Sequence, residues 1–191
     1  GIESINEEAL KTMNKNVNLR ISIENYFEAI ANIRKHGLAV WGTMVFGNDA
    51  DTPETFNQVA DFVLDSHVDI MTCGILCPFI NTPLYHRLNG DGRLFRTNFP
   101  EDWMYYTSHH LTYVLKNMSL QELIDGFQYL YDKIYSTEVL RQRFQNAKEV
   151  HKDNMNAAMF AFRVNLDWQS VYQHLIQNLK ELQASGFYDE A

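Results

Sequence analysis

The run from Leu38 to Tyr85 constrains the fold more than any other part of the chain. The segment LAVWGTMVF (Leu38 to Phe46) reads as a buried strand that stops at Gly47. The polar loop NDADTP follows, with Thr52 as a helix N-cap and Pro53 as the first helical residue. Phe56, Val59, Ala60, Val63 and Leu64 then repeat with helical period. The segment DIMTCGILC (Asp69 to Cys77) is a second apolar strand, and it ends at Pro78 in PFINTPLY. Two strands apolar on both faces, with a helix between them, describe a parallel β-α-β unit covered by helices. In such sheets the chemistry lies at the carboxyl ends of the strands, so the sequence locates a site before it names one.

The flanks extend this unit. Asn6 caps a short helix to about Met13, with Glu7 and Glu8 at its positive end and Ile5 and Leu10 placed as a hydrophobic staple. NKNVNLR reads as a loop. Ser22 caps a helix that Gly37 ends. Pro83 begins a short helix that NGDG closes. Strand–helix alternation then stops. Residues 93–118 are irregular and aromatic, suited either to a substrate entrance or to a satellite core. Ser119 and Glu122 form a capping box for a strong helix, and two or three more helices follow. The last is expected to run from a cap at Asp167 to Gly186. The chain is thus α/β over residues 1–92, with a mostly helical extension over 93–191. Its opening, Gly-Ile-Glu-Ser, reads as the tip of a strand already in progress, as in a fragment of a longer protein.

Bulk chemistry narrows the partners. The net charge is −8, which gives no support to nucleic-acid or anionic-membrane binding. No apolar run spans a bilayer, and no targeting signal is visible, so a cytoplasmic setting is expected. Cys73 and Cys77 on an extended strand would stand roughly 13 Å apart, too far for a disulfide. The adjacent His109 and His110 point in different directions, and His151 and His174 lack partners at metal-binding spacing; solvent or loop packing is expected for these histidines. No GxSxG, P-loop or GxGxxG motif is present.

Four motifs in order carry a family resemblance: the strand tip GIES, Asn14–Lys15, Val45-Phe46-Gly47 with Asp51-Thr52 following, and PFINTPLY at Pro78 to Tyr85. They resemble the second half of a radical SAM barrel. Trp103 to Ser119, ending in KNMS, resembles the tail of cobalamin-binding radical SAM proteins, the Fe–S oxidoreductases that include Mg-protoporphyrin monomethyl ester cyclase-like and hopanoid methylase-like members. The resemblance implies the later strands of a partial, TIM-like (β/α) barrel. It implies S-adenosylmethionine, a four-iron four-sulfur cluster and, in a separate domain, cobalamin. It also implies methylation or oxidation of an unactivated carbon in a small-molecule, lipid or tetrapyrrole substrate. The cluster motif CxxxCxxC is absent here, so the cluster half is expected upstream of Gly1 and the fragment is expected to be inactive alone.

Carried onto this sequence, Glu3 and Ser4 match the fourth-strand tip near the methionine and ribose of the cofactor. Lys15 would meet its carboxylate. Val45, Phe46 and Gly47 match the fifth-strand tip, beside the adenine, and Leu76 and Pro78 the sixth, on the adenine's other side. The same residues also suit structural roles: Glu3 and Ser4 on loop amides, Lys15 at the surface, Gly47 as a strand-ending turn, Leu76 and Pro78 in the core. The chain departs from the family at NDAD, where Asp51 replaces Glu, and at Asn81, where Gly is usual. Two other readings remain open, an aldolase-type (β/α) barrel and an interaction domain built on the helical tail. Half a barrel also leaves strand edges unpaired, so self-association is expected.

Overall fold

The architecture comes from a computed structural model that describes residues 1–189. The last two residues of the expected 93–191 extension lie outside the described residues. Helices α1 (Glu7–Thr12), α2 (Asn16–Ile21) and α3 (Tyr26–Lys35) lead into strand β1 (Trp41–Phe46). Helix α4 (Pro53–Asp65) crosses to strand β2 (Ile70–Ile75), and α5 (Pro83–Gly90) follows. After the irregular stretch come α6 (Leu120–Leu130), a π-helical turn (Tyr131–Tyr135), α7 (Thr137–Val150) and the long α8 (Met155–Ala184). The class is α/β with two parallel strands and mostly helix. β1 and β2 pair in parallel from Trp41↔Ile70 to Phe46↔Ile75. Glu3 adds a single parallel bridge to Met44 on the other side of β1.

Local chemistry explains most boundaries. The Asn6 side chain accepts from the N–H groups of Glu8 and Ala9. Thr55 Oγ1 accepts from the Thr52 N–H at 3.0 Å, and Pro53 opens α4 without wasting a donor. The Thr82 hydroxyl accepts from Tyr85 N–H before Pro83. Ser119 and Glu122 form a reciprocal box at α6. β2 is buried at every position, as a strand covered on both faces should be. β1 is not: burial alternates along it, and Trp41 remains 47% exposed.

Three expectations about helix boundaries are corrected. The NKNVNLR stretch forms helix α2 instead of a loop. Ser22 does not cap a helix; it sits at φ +61° between α2 and a 3-10 turn (Ile23–Asn25), and α3 starts at Tyr26. Asp167 lies inside α8, and its carboxylate pairs with Arg163 one turn back at 3.4 Å. That i,i+4 pair supports a continuing helix, and the Ala- and Met-rich segment before it is a strong helix former.

One core joins the sheet to the helical extension. Phe46 and Phe56 stack at 4.4 Å, and Phe127 of α6 meets both edge-on at 5.4 Å. Gly126 permits this approach, since a Cβ there would stand 2.3 Å from the Phe56 ring. Tyr172 of α8 packs on Tyr135 at 4.7 Å.

The outer edge of β2, expected to be open, is covered by the chain's own extension. Ile75 N–H donates to the Ser108 carbonyl at 2.7 Å, and the Asp69 carbonyl accepts from Asn165 Nδ2 at 2.8 Å and Arg143. At the amino end of β2, the fully buried Asp69 carboxylate accepts from Arg34 Nε at 3.2 Å and from Val40 N–H at 2.9 Å. His151 Nε2 lies 3.0 Å from the same carboxylate. His151 is therefore 1% exposed in a polar knot, not in solvent or loop packing. A buried carboxylate with this many partners is satisfied, and the knot ties α3 and the end of α7 to the sheet.

Candidate functional site

At the opposite, carboxyl end of the strands lies a cleft of about 590 Å³. That volume is in the range of small-molecule sites. Its floor is the strand ends: Val45 from β1, then Ile75, Leu76 and Cys77 from β2 and its extension. One wall is Glu3 with the end of α1 and the turn after it, Thr12 to Lys15. The other is Phe79 and the start of α5, with Thr82, Pro83, Leu84 and Arg87; Ser108 closes the side.

Glu3 reaches the cleft because its backbone is zipped into the sheet. Its N–H donates to Thr43 O at 2.7 Å, and its carbonyl accepts from Val45 N–H at 3.1 Å. It takes φ +67°, a conformation that non-glycine residues adopt at a cost and that recurs at functional sites. Lys15 Nζ pairs with Glu3 Oε1 at 3.0 Å, with both side chains partly exposed. Arg87 is held by Asp49 at 2.8 Å, and Asp49 also takes Arg93 at 2.8 Å. Asn48 exchanges hydrogen bonds with the Thr12 hydroxyl, its Nδ2 donating at 2.9 Å. Burial pushes the Cys77 thiol up to about 12, so it is a neutral thiol at the cleft floor.

The strand-end loop that carries Asn48 and Asp49 is organised by Asp51. One of its oxygens accepts from Gly47 N–H at 3.0 Å and Asn48 N–H at 2.9 Å. Burial raises this carboxyl to about 6; the two amides oppose the shift and the Asp49 charge adds to it. Asn81 takes φ +66°, a left-handed turn that Asn tolerates.

Of the residues singled out from sequence, Glu3, Lys15, Val45 and Leu76 line one cleft. Ser4, Phe46, Gly47 and Pro78 do not line it. The Ser4 hydroxyl accepts from Asn6 N–H at 3.0 Å and helps begin α1. Phe46 belongs to the aromatic core, and Pro78 is buried behind Cys77 and Phe79 in the chain. Gly47, at φ +98°, gives its carbonyl to the Tyr113 hydroxyl at 3.0 Å. Sequence reasoning did not assign Asn48, Cys77, Arg87 or Ser108. Arg87 follows Leu84 by three residues on α5, so helical spacing could have found it; Ser108 comes from a long irregular segment with no local signal.

Residues 82–181, just over half of the chain, match the family described as domain of unknown function DUF4070. The chain belongs to the DUF4070 family. DUF4070 is a domain found in cobalamin-binding radical SAM proteins, so the family recognised from the residues is the family found. Three curated proteins are similar. Bacteriochlorophyllide d C-12(1)-methyltransferase of Chlorobaculum tepidum is 29% identical over 145 residues, 76% of this chain and 30% of that protein. Bacteriochlorophyllide d C-8(2)-methyltransferase of the same organism is 30% identical over 154 residues, 78% of this chain and 32% of that protein. Hopanoid C-2 methylase of Rhodopseudomonas palustris is 28% identical over 176 residues, 88% of this chain and 32% of that protein. The chain thus spans about a third of the length of these relatives. No solved structure matches it. The DUF4070 match begins at the N-cap of α5, so this family segment supplies all of one wall but Phe79, and the strands before it supply the floor.

Proposed function

We propose that this chain is the later part of a partial (β/α) barrel and its DUF4070 extension in a radical SAM methyltransferase, and that the cleft holds S-adenosylmethionine. The observation that carries the reading is convergence: Glu3, at the parallel bridge beside β1, and Val45 and Leu76, at the ends of β1 and β2, line one cleft at the carboxyl edge of the sheet. The chemistry of the lining fits the ligand. Val45, Ile75 and Leu76 offer an apolar floor for a purine. The Glu3 carboxylate can accept from ribose hydroxyls or an ammonium, and Lys15 can answer a carboxylate. The three similar curated proteins are named methyltransferases or methylases, which favours methylation over oxidation.

In this reading S-adenosylmethionine and an iron–sulfur cluster supply the radical chemistry, and cobalamin the methyl relay. The described residues contain no group of three His, Cys, Asp or Glu side chains that could hold a metal, and Cys73 is buried inside the sheet. In this reading the cluster ligands lie in another part of the parent. What this chain's residues do is bind and orient. The strand tips hold the adenosyl group, and the half-buried neutral Cys77 keeps charge off the floor. The relatives' names mention a bacteriochlorophyllide or a hopanoid, and a bulky, largely apolar tetrapyrrole or lipid is the substrate class proposed. Among the described residues no helix is long and apolar enough to cross a membrane.

The test uses the full-length parent, purified anaerobically and reconstituted with iron and sulfide. It should show cluster absorption, bind S-adenosylmethionine and cleave it reductively, and Glu3→Gln should weaken binding several-fold. A parent that forms a cluster but neither binds nor cleaves S-adenosylmethionine refutes the assignment of the cleft.

A further inference from the structure

We propose that the DUF4070 segment braces the strand tips that face the cleft, and that Tyr113 is its positioning residue, fixing the Gly47 turn that presents Asn48. This rests on the reading of the cleft as the S-adenosylmethionine site.

Four anchors run from the segment to the strand ends. The Tyr113 hydroxyl donates to the Gly47 carbonyl at 3.0 Å. Arg93 pairs with the Asp49 carboxylate at 2.8 Å, and Asn117 Nδ2 donates to the Asp49 carbonyl. The Ser108 carbonyl takes the Ile75 N–H at 2.7 Å. Tips of both strands are thus pinned by residues 93–117, which contribute only Ser108 to the lining itself.

The Gly47 anchor is the most specific. Tyr113 is 1% exposed, and burial raises its phenol well above the ordinary value, so it stays a donor. The turn is shaped around that hydroxyl: a Cβ on Gly47 would stand 2.5 Å from it, and φ there is +98°. The same glycine's N–H goes to Asp51 at 3.0 Å. Both ends of one residue are therefore held, and the next residue, Asn48, lines the cleft and is bonded to its neighbour in that lining, Thr12. Neighbours on every side fix the turn's geometry, which is how a binding wall is preorganised.

The test compares Tyr113→Phe with Tyr172→Phe in the anaerobic full-length parent. Tyr172 is equally buried, on α8, and its hydroxyl reaches no strand tip. S-adenosylmethionine binding is measured by equilibrium dialysis, and amide exchange is followed at Gly47 and Asn48. Tyr113→Phe should raise Kd about tenfold, as expected for a buried acceptor losing its donor, and should speed exchange at both amides. Tyr172→Phe should change Kd less than twofold. Asn117→Ala, which removes an exposed anchor with little risk to folding, should raise Kd about threefold. An unchanged Kd in Tyr113→Phe, or an equal loss in Tyr172→Phe, overturns the brace while leaving the cleft assignment standing. If Tyr113→Phe does not fold, an unchanged Kd in Asn117→Ala overturns it instead. A wild-type parent that binds no S-adenosylmethionine removes both.

Discussion

Asp51→Asn isolates the energetic cost of the loop at the end of β1. Asp51 is 1% exposed, and its carboxyl is raised from 3.8 to about 6, chiefly by burial. A carboxyl raised on folding prefers to be protonated in the native state. Below pH 3.8 both states carry the proton and no cost exists. As pH rises toward 6 the unfolded chain loses its proton first, so the fold is progressively penalised; above 6 the penalty is constant. At about 1.4 kcal/mol per pH unit, ionised Asp51 costs the native state about 3 kcal/mol at pH 8. At pH 4.5 the cost is about 1 kcal/mol by the same linkage. Asparagine cannot ionise, yet its side-chain oxygen can take the place of the one oxygen that receives Gly47 and Asn48. Any fixed penalty of the substitution is the same at both pH values. Urea unfolding of wild type and Asp51→Asn across pH 4.5 to 8 should show their stability difference moving by about 2 kcal/mol in favour of the variant as pH rises. A difference that stays level over that range would refute the reasoning, because it would mean that Asp51 ionises as easily in the fold as in the unfolded chain.

Other perturbations read other parts of the structure. Asp69→Ala leaves Arg34 and His151 as buried groups without their carboxylate and should cost about 3–5 kcal/mol in chemical denaturation; a loss under 1 kcal/mol would show that the knot is not structural. Gly126→Ala gains about 1 kcal/mol of helix propensity but drives a Cβ into the Phe56 ring. Net destabilisation of about 1–2 kcal/mol is expected by thermal melting, and a stabilised variant would show that α6 can shift without loss. Copies of this chain are expected to pair through the sheet edge at residues 1–4, since the edge of β2 is covered; light scattering that shows a monomer at high concentration refutes this.

The α/β class, the strand–helix–strand unit and four helix starts were legible because each rests on local chemistry. Asn6, Thr52, Thr82 and Ser119 announce themselves by side-chain caps or by a proline next to them. The failures share a cause. Helix α2 has no side-chain cap at Lys15 and no buried residue, so neither composition nor period marks it. Helix α8 begins twelve residues before Asp167, because a cap-forming residue inside a helix can be satisfied sideways by Arg163. The partners of Asp69 come from α3, α7 and α8, and no local pattern announces a meeting across some eighty residues of chain.

The candidate site divides along the same line. Parallel strands place ligands at their carboxyl ends, so the cleft's position followed from the strand directions alone. Which side chains face it did not. In an extended strand adjacent residues point to opposite faces, so a motif such as Val45-Phe46-Gly47 can give at most alternate side chains to one wall. Val45 lines the cleft, Phe46 goes to the aromatic core, and Gly47 turns away to meet Tyr113. A sequence motif of this kind marks the loop that must be held still. The residues that hold it, Asp51 from within the loop and Tyr113 from the extension, are separated by 62 positions along the chain and appear only when the fold brings them to the two ends of the same glycine.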